Sequence, residues 1–534
     1  EKYLATVYSY IRDESHRTAD VPWDPCSDDL DVTYDRENYN SFKMNLGNWS
    51  ASSNYYEYWS HYYRGIRSAT YFIQHIGSNQ EMLDDPTRGP IVVEQYKNEA
   101  RFLRAFYYFN LVECWGDVPF KTVSTQSVTN LNIPRTDKQK IYDFIVSEMA
   151  DAAETGLKSA SDLAYKPGRI SQSTAWGILA RVYMFRAGEH YREGRNATQA
   201  EKKDYFERAS FYAQKVMTAG HKLAANYWDP FIDMCSDKYN TTANESIWEA
   251  EFAGNNTSDT QAEGRIGNII GLAGPDLSSK SDVTGARDPG YGYAFIYSTP
   301  KLYNLYVNNG DTKRFNWSIA PFEYKEAGGK NTGVTHREFE QGKLAEVMSQ
   351  YGQQRGTYQY ADDTEKTTAT KNFSRMCGKY RREYEADKKD KNYTSINFPI
   401  LRYADVLLMI AEAENEANNG PTTLAYQCMK EVRERAGLNE LPDMTQEEFR
   451  QTVKDERAME LCFEYTRRFD LIRWGEYVKN MRALVTEAQS GNNWTQGPTN
   501  VYTYFNISST YNYFPIPDAE MSVNKDITQN NPGW

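Results

Sequence analysis

Apolar residues recur at helical spacing through the N-terminal third of the chain. Trp59, Tyr62, Tyr63, Ile66, Ala69, Ile73 and Ile76 form one stripe, and Ala100, Leu103, Phe106, Tyr107, Asn110 and Leu111 form a second. The stretch from Pro86 to Pro90 separates them as a turn. A more polar helix is predicted around Ile141 to Ala153. Another runs from Ser171 to Ala187, with Ala175, Ile178, Leu179, Val182 and Tyr183 on one face. Phe206, Ala209, Tyr212, Ala213 and Val216 repeat the theme and stop at Gly220. From Asn226 to Asn397 the helical period fades and Gly, Asn, Thr, Ser and Tyr dominate. Such a stretch is too long for one loop and must carry irregular structure folded onto the helices. Helices resume with Leu401, Ala404, Leu408 and Ala411, then Leu424 to Ala436, stopped by Gly437. A charged amphipathic run follows from Gln446 to Thr486. The end of the chain, with Pro515, Pro517 and Pro532, is predicted to be non-helical, an extended strap around the scaffold.

Small alanines alternate with large aromatics on successive helices, which resembles tetratricopeptide repeats without their full consensus. The predicted fold is therefore mainly α, a single domain of tetratricopeptide-like helix pairs over about 55–225 and 398–486. A loop-rich insertion at about 226–397 and a strap at about 487–534 complete it.

Composition narrows the function. The 534 residues carry a formal charge of −12, which disfavours nucleic acid as a partner because phosphate binding needs a basic surface. Apolar runs are broken by charge well short of a membrane span. Aromatics make up 14% of the chain, with 42 Tyr against 23 Phe, so the excess lies in rings that have both an apolar face and a polar edge. Six cysteines form no C-x-x-C pair, which argues against a zinc site or a redox pair. Cys114, Cys428 and Cys462 fall in helical patterns and are expected to be small buried thiols. No H-E-x-x-H, G-x-S-x-G or G-x-x-x-x-G-K-[ST] motif occurs, the histidines are poorly spaced for a metal, and no catalytic residue is predicted.

Four separated segments resemble the SusD/RagB family. They are NEARFLRAFYYFNLVECWGDVPF at 98–120, NFPILRYADVLLMIAEAENEANNG from Asn397, ERAMELCFEYTRRFDLIRWG from Glu456 and YFPIPDAEMSVNKDITQNNPGW at the end of the chain. Their order and spacing agree with the family across the whole chain, and TPKLYNLYVNNGDTKRF from Thr299 adds a weaker match. Glu460, Glu464 and Arg468 follow one another at i, i+4 spacing, and Arg467, Asp470 and Arg473 continue the pattern. Inter-helix ion pairs that serve the scaffold are the expected role.

The resemblance implies a glycan-binding outer-membrane lipoprotein of the Bacteroidetes kind, exposed at the cell surface. Its anchor would be a lipid-bearing Cys upstream of Glu1, and its partner a SusC-like TonB-dependent transporter that receives the bound polysaccharide or oligosaccharide. No cofactor is expected: some members bind Ca²⁺, but no D-x-[DN]-x-[DN]-G loop is present here. A sugar offers a C–H face to an aromatic plane and hydroxyls to polar groups, so a site needs rings flanked by such side chains. Two regions supply that mixture. One is the N-terminal loop with Asp28, Asp29, Arg36, Asn48, Trp49, Asn54 and Tyr55. The other is the insertion with Arg287, Asp288, Tyr291, Tyr293 and Trp317. The rival readings are a repeat scaffold that binds a peptide or protein, and a glycoside hydrolase.

Overall fold

The computed structural model describes residues 1–11, 30–32, 51, 55–78, 84–87, 89–127, 129, 131–192, 198–252, 264–274, 276, 290–320, 375–385, 390–489 and 506–534. A short helix α1 (Lys2–Ser9) and strand β1 (Leu30–Val32) precede the first long helices, α2 (Tyr55–His75) and α3 (Gly89–Trp115). The first predicted stripe is the buried face of α2. Trp59, Tyr62, Ile66 and Ala69 are all under 5% exposed and pack on α3. Gly65 is required there, because a Cβ would sit 2.7 Å from the ring of Tyr107.

A two-stranded ribbon, β2 (Val118–Pro119) with β3 (Arg135–Thr136), leads to α4 (Lys138–Thr155), α5 (Gln172–Arg192) and α6 (Gln199–Met217). Each packs on its predecessor, so α2 to α6 form a row of neighbouring helices. Capping fixes the starts. Asp137 accepts from the backbone of Gln139, and Thr198 forms a reciprocal box with Glu201.

The described parts of the insertion form short pieces. These are α7 (Asp229–Cys235), β4 (Ser246–Ala250), α8 (Ile266–Ile269), β5 (Ile296–Ser298), α9 (Pro300–Asn309), α10 (Thr312–Ser318), β6 (Ile319–Ala320) and β7 (Met376–Cys377). Strand β8 (Phe398–Arg402) pairs antiparallel with β4 and runs into α11 (Tyr403–Ala417), which packs against α6 and closes the row. A four-stranded sheet of order β1-β5-β7-β6 joins the N-terminal segment to the insertion, with Asp31 opposite Tyr297.

Helix α12 (Thr423–Ala436) ends at Gly437, which has φ +77°. The charged run predicted as one helix is three: α13 (Gln446–Leu461), α14 (Arg467–Arg473) and α15 (Tyr477–Gln489). The first break contains Phe463 and Tyr465 in the left-handed region, and the second is Gly475 with φ +71°. Glu460, Glu464 and Arg468 thus lie on a helix end, a linker and the next helix.

The strap expectation needs one correction. Residues 506–534 run largely without regular structure, but they include a short helix, α16 (Asp518–Val523), started by Pro517 at its N-cap, where a missing N–H costs nothing. This segment closes over α3: Trp115 Nε1 donates to the Pro515 carbonyl at 3.0 Å, and Phe514 N donates to the Cys114 carbonyl at 2.8 Å. Asn531 Nδ2 donates to the carbonyls of both Trp115 and Phe514. Cys114, Cys428 and Cys462 are buried thiols, as expected.

Two buried charge networks lock the pieces together. In the first, Arg402 reaches Glu245 (2.6 Å), Glu464 (2.7 Å) and Glu460 (3.2 Å), and Arg314 reaches Asp311 (2.5 Å), Glu456 (2.6 Å) and Glu460 (3.0 Å). Arg435 bridges Glu245 and Glu460, Arg433 holds Glu456, and Lys379 holds Glu464. Burial alone would raise the Glu460 carboxyl, but Arg435, Arg402, Arg314 and Lys379 outweigh it and hold it down at about 2. In the second network Asp405 binds Arg181 and Arg457, Asp470 binds Arg457 and Arg473, and Glu412 binds Arg473 and the indole N–H of Trp474. The signature charges of the third sequence segment are therefore scaffold groups. The first network joins the insertion (Glu245, Asp311, Arg314, Lys379) to the helices.

Candidate functional site: a row of aromatic rings on the insertion

From Gly290 to Ser298 the side chains alternate, although only Ile296–Ser298 is regular strand and Ala294 stands in the left-handed region with φ +48°. Gly292, Ala294, Ile296 and Ser298 are buried, while Tyr291, Tyr293, Phe295 and Tyr297 are half-buried on the opposite face. The ring centroids of Tyr291 and Tyr293 lie 4.9 Å apart and those of Tyr293 and Phe295 4.7 Å apart, with interplanar angles of 74° and 31°. The result is a row of three neighbouring rings, Tyr291, Tyr293 and Phe295.

Backbone clamps hold the row. Tyr293 N donates to the Asn268 carbonyl at 2.8 Å and Phe295 N to the Ile269 carbonyl at 2.9 Å, tying the segment to α8. Arg382 is paired bidentately with Glu385 and also donates to the carbonyls of Tyr291, Asp390 and Tyr393, at 2.8 to 2.9 Å. Gly292 packs so close to the Leu272 carbonyl that a Cβ would stand 2.1 Å from its oxygen. At the outer end Lys391 lies 5.3 Å from the centre of the Tyr291 ring and pairs with Asp276 at 3.0 Å, so charged donors and acceptors flank the rings. Rings on one face, held by rigid backbone and edged by polar groups, can stack on sugar C–H faces and hydrogen-bond their hydroxyls.

The predicted site residues fare unevenly. Tyr291 and Tyr293 stand together in this row. Trp317 does not: its ring is fully buried, with the Arg381 guanidinium 3.9 Å from its centre and Trp228 and Tyr384 around it, so it presents no face to a ligand. The expectation for Trp317 is corrected on that ground. Asp29, Arg36, Asn48, Trp49, Asn54 and Arg287 lie outside the described residues, as do Asp28 and Asp288, and Tyr55 opens α2 with its side chain outside them. Strand β1 next to β5 brings the backbone of the N-terminal region alongside the ring row. Phe295 and Tyr297 were missed, although the period-two spacing Tyr-x-Tyr-x-Phe-x-Tyr is a strand signal that could have found them.

A second concavity, a cleft of about 600 Å³, lies between α1, the 166–169 loop and β4, and is lined by Tyr8, Glu99, Arg169, Tyr239, Glu249 and Glu251. Its two β4-side carboxyls are engaged internally. Glu249 accepts from Ser246 and Asn397, and Glu251 accepts from the Tyr239 hydroxyl at 2.6 Å. Burial drives the Glu249 carboxyl up, those hydrogen bonds offset part of the rise, Glu251 and Asp233 add to it, and it ends at about 7. With the folded value above the unfolded 4.5, this group's contribution to stability is fully present below pH 4.5 and is lost as pH rises through 7. Melting temperatures of the native chain should therefore fall relative to Glu249→Gln between about pH 5 and pH 8. Parallel melting profiles would contradict this.

The sequence profile of the SusD family matches residues 244–534, more than half of the chain. The chain belongs to the SusD family. A second profile, described as "Starch-binding associating with outer membrane", matches residues 2–184. SusD-like protein P2 of Formosa agariphila is 24% identical over 509 residues, spanning 93% of this chain and 84% of its own. The solved structure of a SusD homolog from Bacteroides thetaiotaomicron superposes with a TM-score of 0.80 at 24% identity, covering 100% of this chain and 96% of that one. A laminarin-binding SusD-like protein superposes with a TM-score of 0.69 at 20% identity, covering 100% and 98%. The mainly α, tetratricopeptide-like architecture is thus the SusD fold, and within it the ring row sits on the insertion, clear of the helix row.

Proposed function

We propose that this SusD-family protein captures a polysaccharide or oligosaccharide at the cell surface and delivers it to a TonB-dependent transporter of the outer membrane, without cleaving it. A lipid on a Cys upstream of Glu1 would hold it there. The observation that carries the reading is the row of neighbouring rings Tyr291, Tyr293 and Phe295, clamped by Asn268 and Arg382 and edged by Lys391 and Asp276. Asp29, Arg36, Asn48, Trp49, Asn54, Tyr55 and Arg287 are the further side chains of this reading, as polar and aromatic contacts to the sugar. Laminarin binding by a protein of the same fold makes β-glucan the first ligand to try.

The test is affinity electrophoresis of the chain through gels containing laminarin, xyloglucan, starch and other glycans, combined with an assay for released reducing ends. Retardation by at least one glycan with no sugar released is the expected result. Release of reducing ends would replace this reading with a hydrolase, and no retardation by any glycan would remove it.

A further inference from the structure

The face of α2 opposite its core stripe has an unusual composition. Tyr56, Arg64, Arg67, Tyr71 and His75 are all exposed, and at about 100° per residue they fall within one third of the helix circumference. Tyr3 of α1 joins them: its ring lies 5.8 Å from that of Tyr71 and stacks on Phe72 at 5.7 Å, while Tyr71 stacks on His75 at 4.0 Å. Tyr3, Tyr56 and Tyr71 are 42%, 45% and 47% exposed. Arg67 lies within electrostatic range of the Tyr3 hydroxyl.

Neither Arg64 nor Arg67 has a carboxylate partner among the described residues, whereas the arginines of both charge networks are all paired. The only acidic residue in α2, Glu57, falls at the same edge of that arc as His75, so the arc carries two guanidiniums against one carboxylate. Two unpaired guanidiniums among exposed tyrosines, on the outside of a helix whose other face is core, have the character of an interfacial amphipathic helix. The surface is a convex cylinder, which suits a plane rather than a threaded chain. Tyrosines favour the boundary between headgroups and water, and guanidiniums favour phosphate.

We propose that this face of α2, with Tyr3, rests on the phosphate-bearing headgroups of a lipid surface and sets the orientation of the protein there. The net charge of −12 would hold the rest of the molecule off such a surface, so contact through this one basic patch selects a single orientation. The inference leans on the proposed function in one respect: α1, which contributes Tyr3, is the element nearest the tether suggested there, so the tether would keep the patch at high local concentration over the membrane.

The test is flotation of the lipid-free chain with vesicles of phosphatidylcholine alone or mixed with phosphatidylglycerol, at low and high salt, alongside Arg64→Gln/Arg67→Gln and Tyr3→Ser/Tyr71→Ser double variants checked by thermal melting. The native chain should float with the anionic vesicles in a salt-sensitive manner. Loss of both arginines should lower partitioning on the order of tenfold or more and leave glycan retardation unchanged. Equal flotation of the native chain and the arginine variant, or no preference for anionic vesicles, overturns the proposal. Because the chain used carries no lipid, vesicle binding without glycan binding would sink the uptake reading alone, and glycan binding without vesicle binding would sink this one alone.

Discussion

Replacing Arg402 with leucine should destabilise the protein by about 3–5 kcal/mol, enough to leave much of it unfolded at moderate temperature. The guanidinium is fully buried and is shared among Glu245, Glu460 and Glu464, which come from the residue before β4, the end of α13 and the linker after it. Its removal leaves buried carboxylates facing one another with only Arg435, Arg314 and Lys379 to compensate. Protonating the carboxylates is the escape, so the deficit should shrink as pH falls. Lysine should not rescue, since one ammonium cannot span three carboxylates in a planar fork. Denaturant unfolding of Arg402→Leu and Arg402→Lys measures this, and stability within 1 kcal/mol of the native chain would show that the network contributes far less than its burial demands. Protonation of the native network is a separate, acid event. Glu460 and Asp405 are both held down at about 2, so the stability they lend is present above pH 4.5 and is lost as pH falls toward 2.

The second large effect concerns the ring row. Tyr291→Ala and Tyr293→Ala should each weaken glycan binding by about 1–3 kcal/mol, and together they should abolish detectable retardation. Both side chains are half-buried at the surface of a segment held by backbone clamps, so their removal should leave the melting temperature nearly unchanged. Phe295→Ala serves as a third point along the row. Isothermal titration against whichever glycan retards the native chain supplies the numbers, and unaltered affinity in the double variant would move the site elsewhere.

The sequence shows the helices clearly, because each long one buries a single stripe and the 3.6-residue period survives in the pattern. The breaks after α13 are illegible for a physical reason. Phe463 and Tyr465 adopt positive φ, which glycine would have advertised and which bulky residues hide. Tertiary packing imposes that conformation, and with it the position of Glu464 beneath Arg402 and Lys379. At the candidate site Tyr291 and Tyr293 were legible because they cluster in a Gly-rich stretch. Trp317 stands in a seven-residue helix too short to show a periodic face in the sequence, and only its tertiary neighbours Arg381, Trp228 and Tyr384 reveal that it is internal.

The closing segment has a bearing on biogenesis. Trp59 and Trp115, in the first two long helices, find the partners for their indole N–H groups in Glu520 and Pro515, 461 and 400 residues downstream. A folding chain therefore leaves those helices half-covered until residues 514–531 have docked on them, so this part of the core closes only through contacts of very long sequence separation. Truncation or unfolding of that distant segment would bare the apolar face of both helices at once and turn a local lesion into an aggregation hazard.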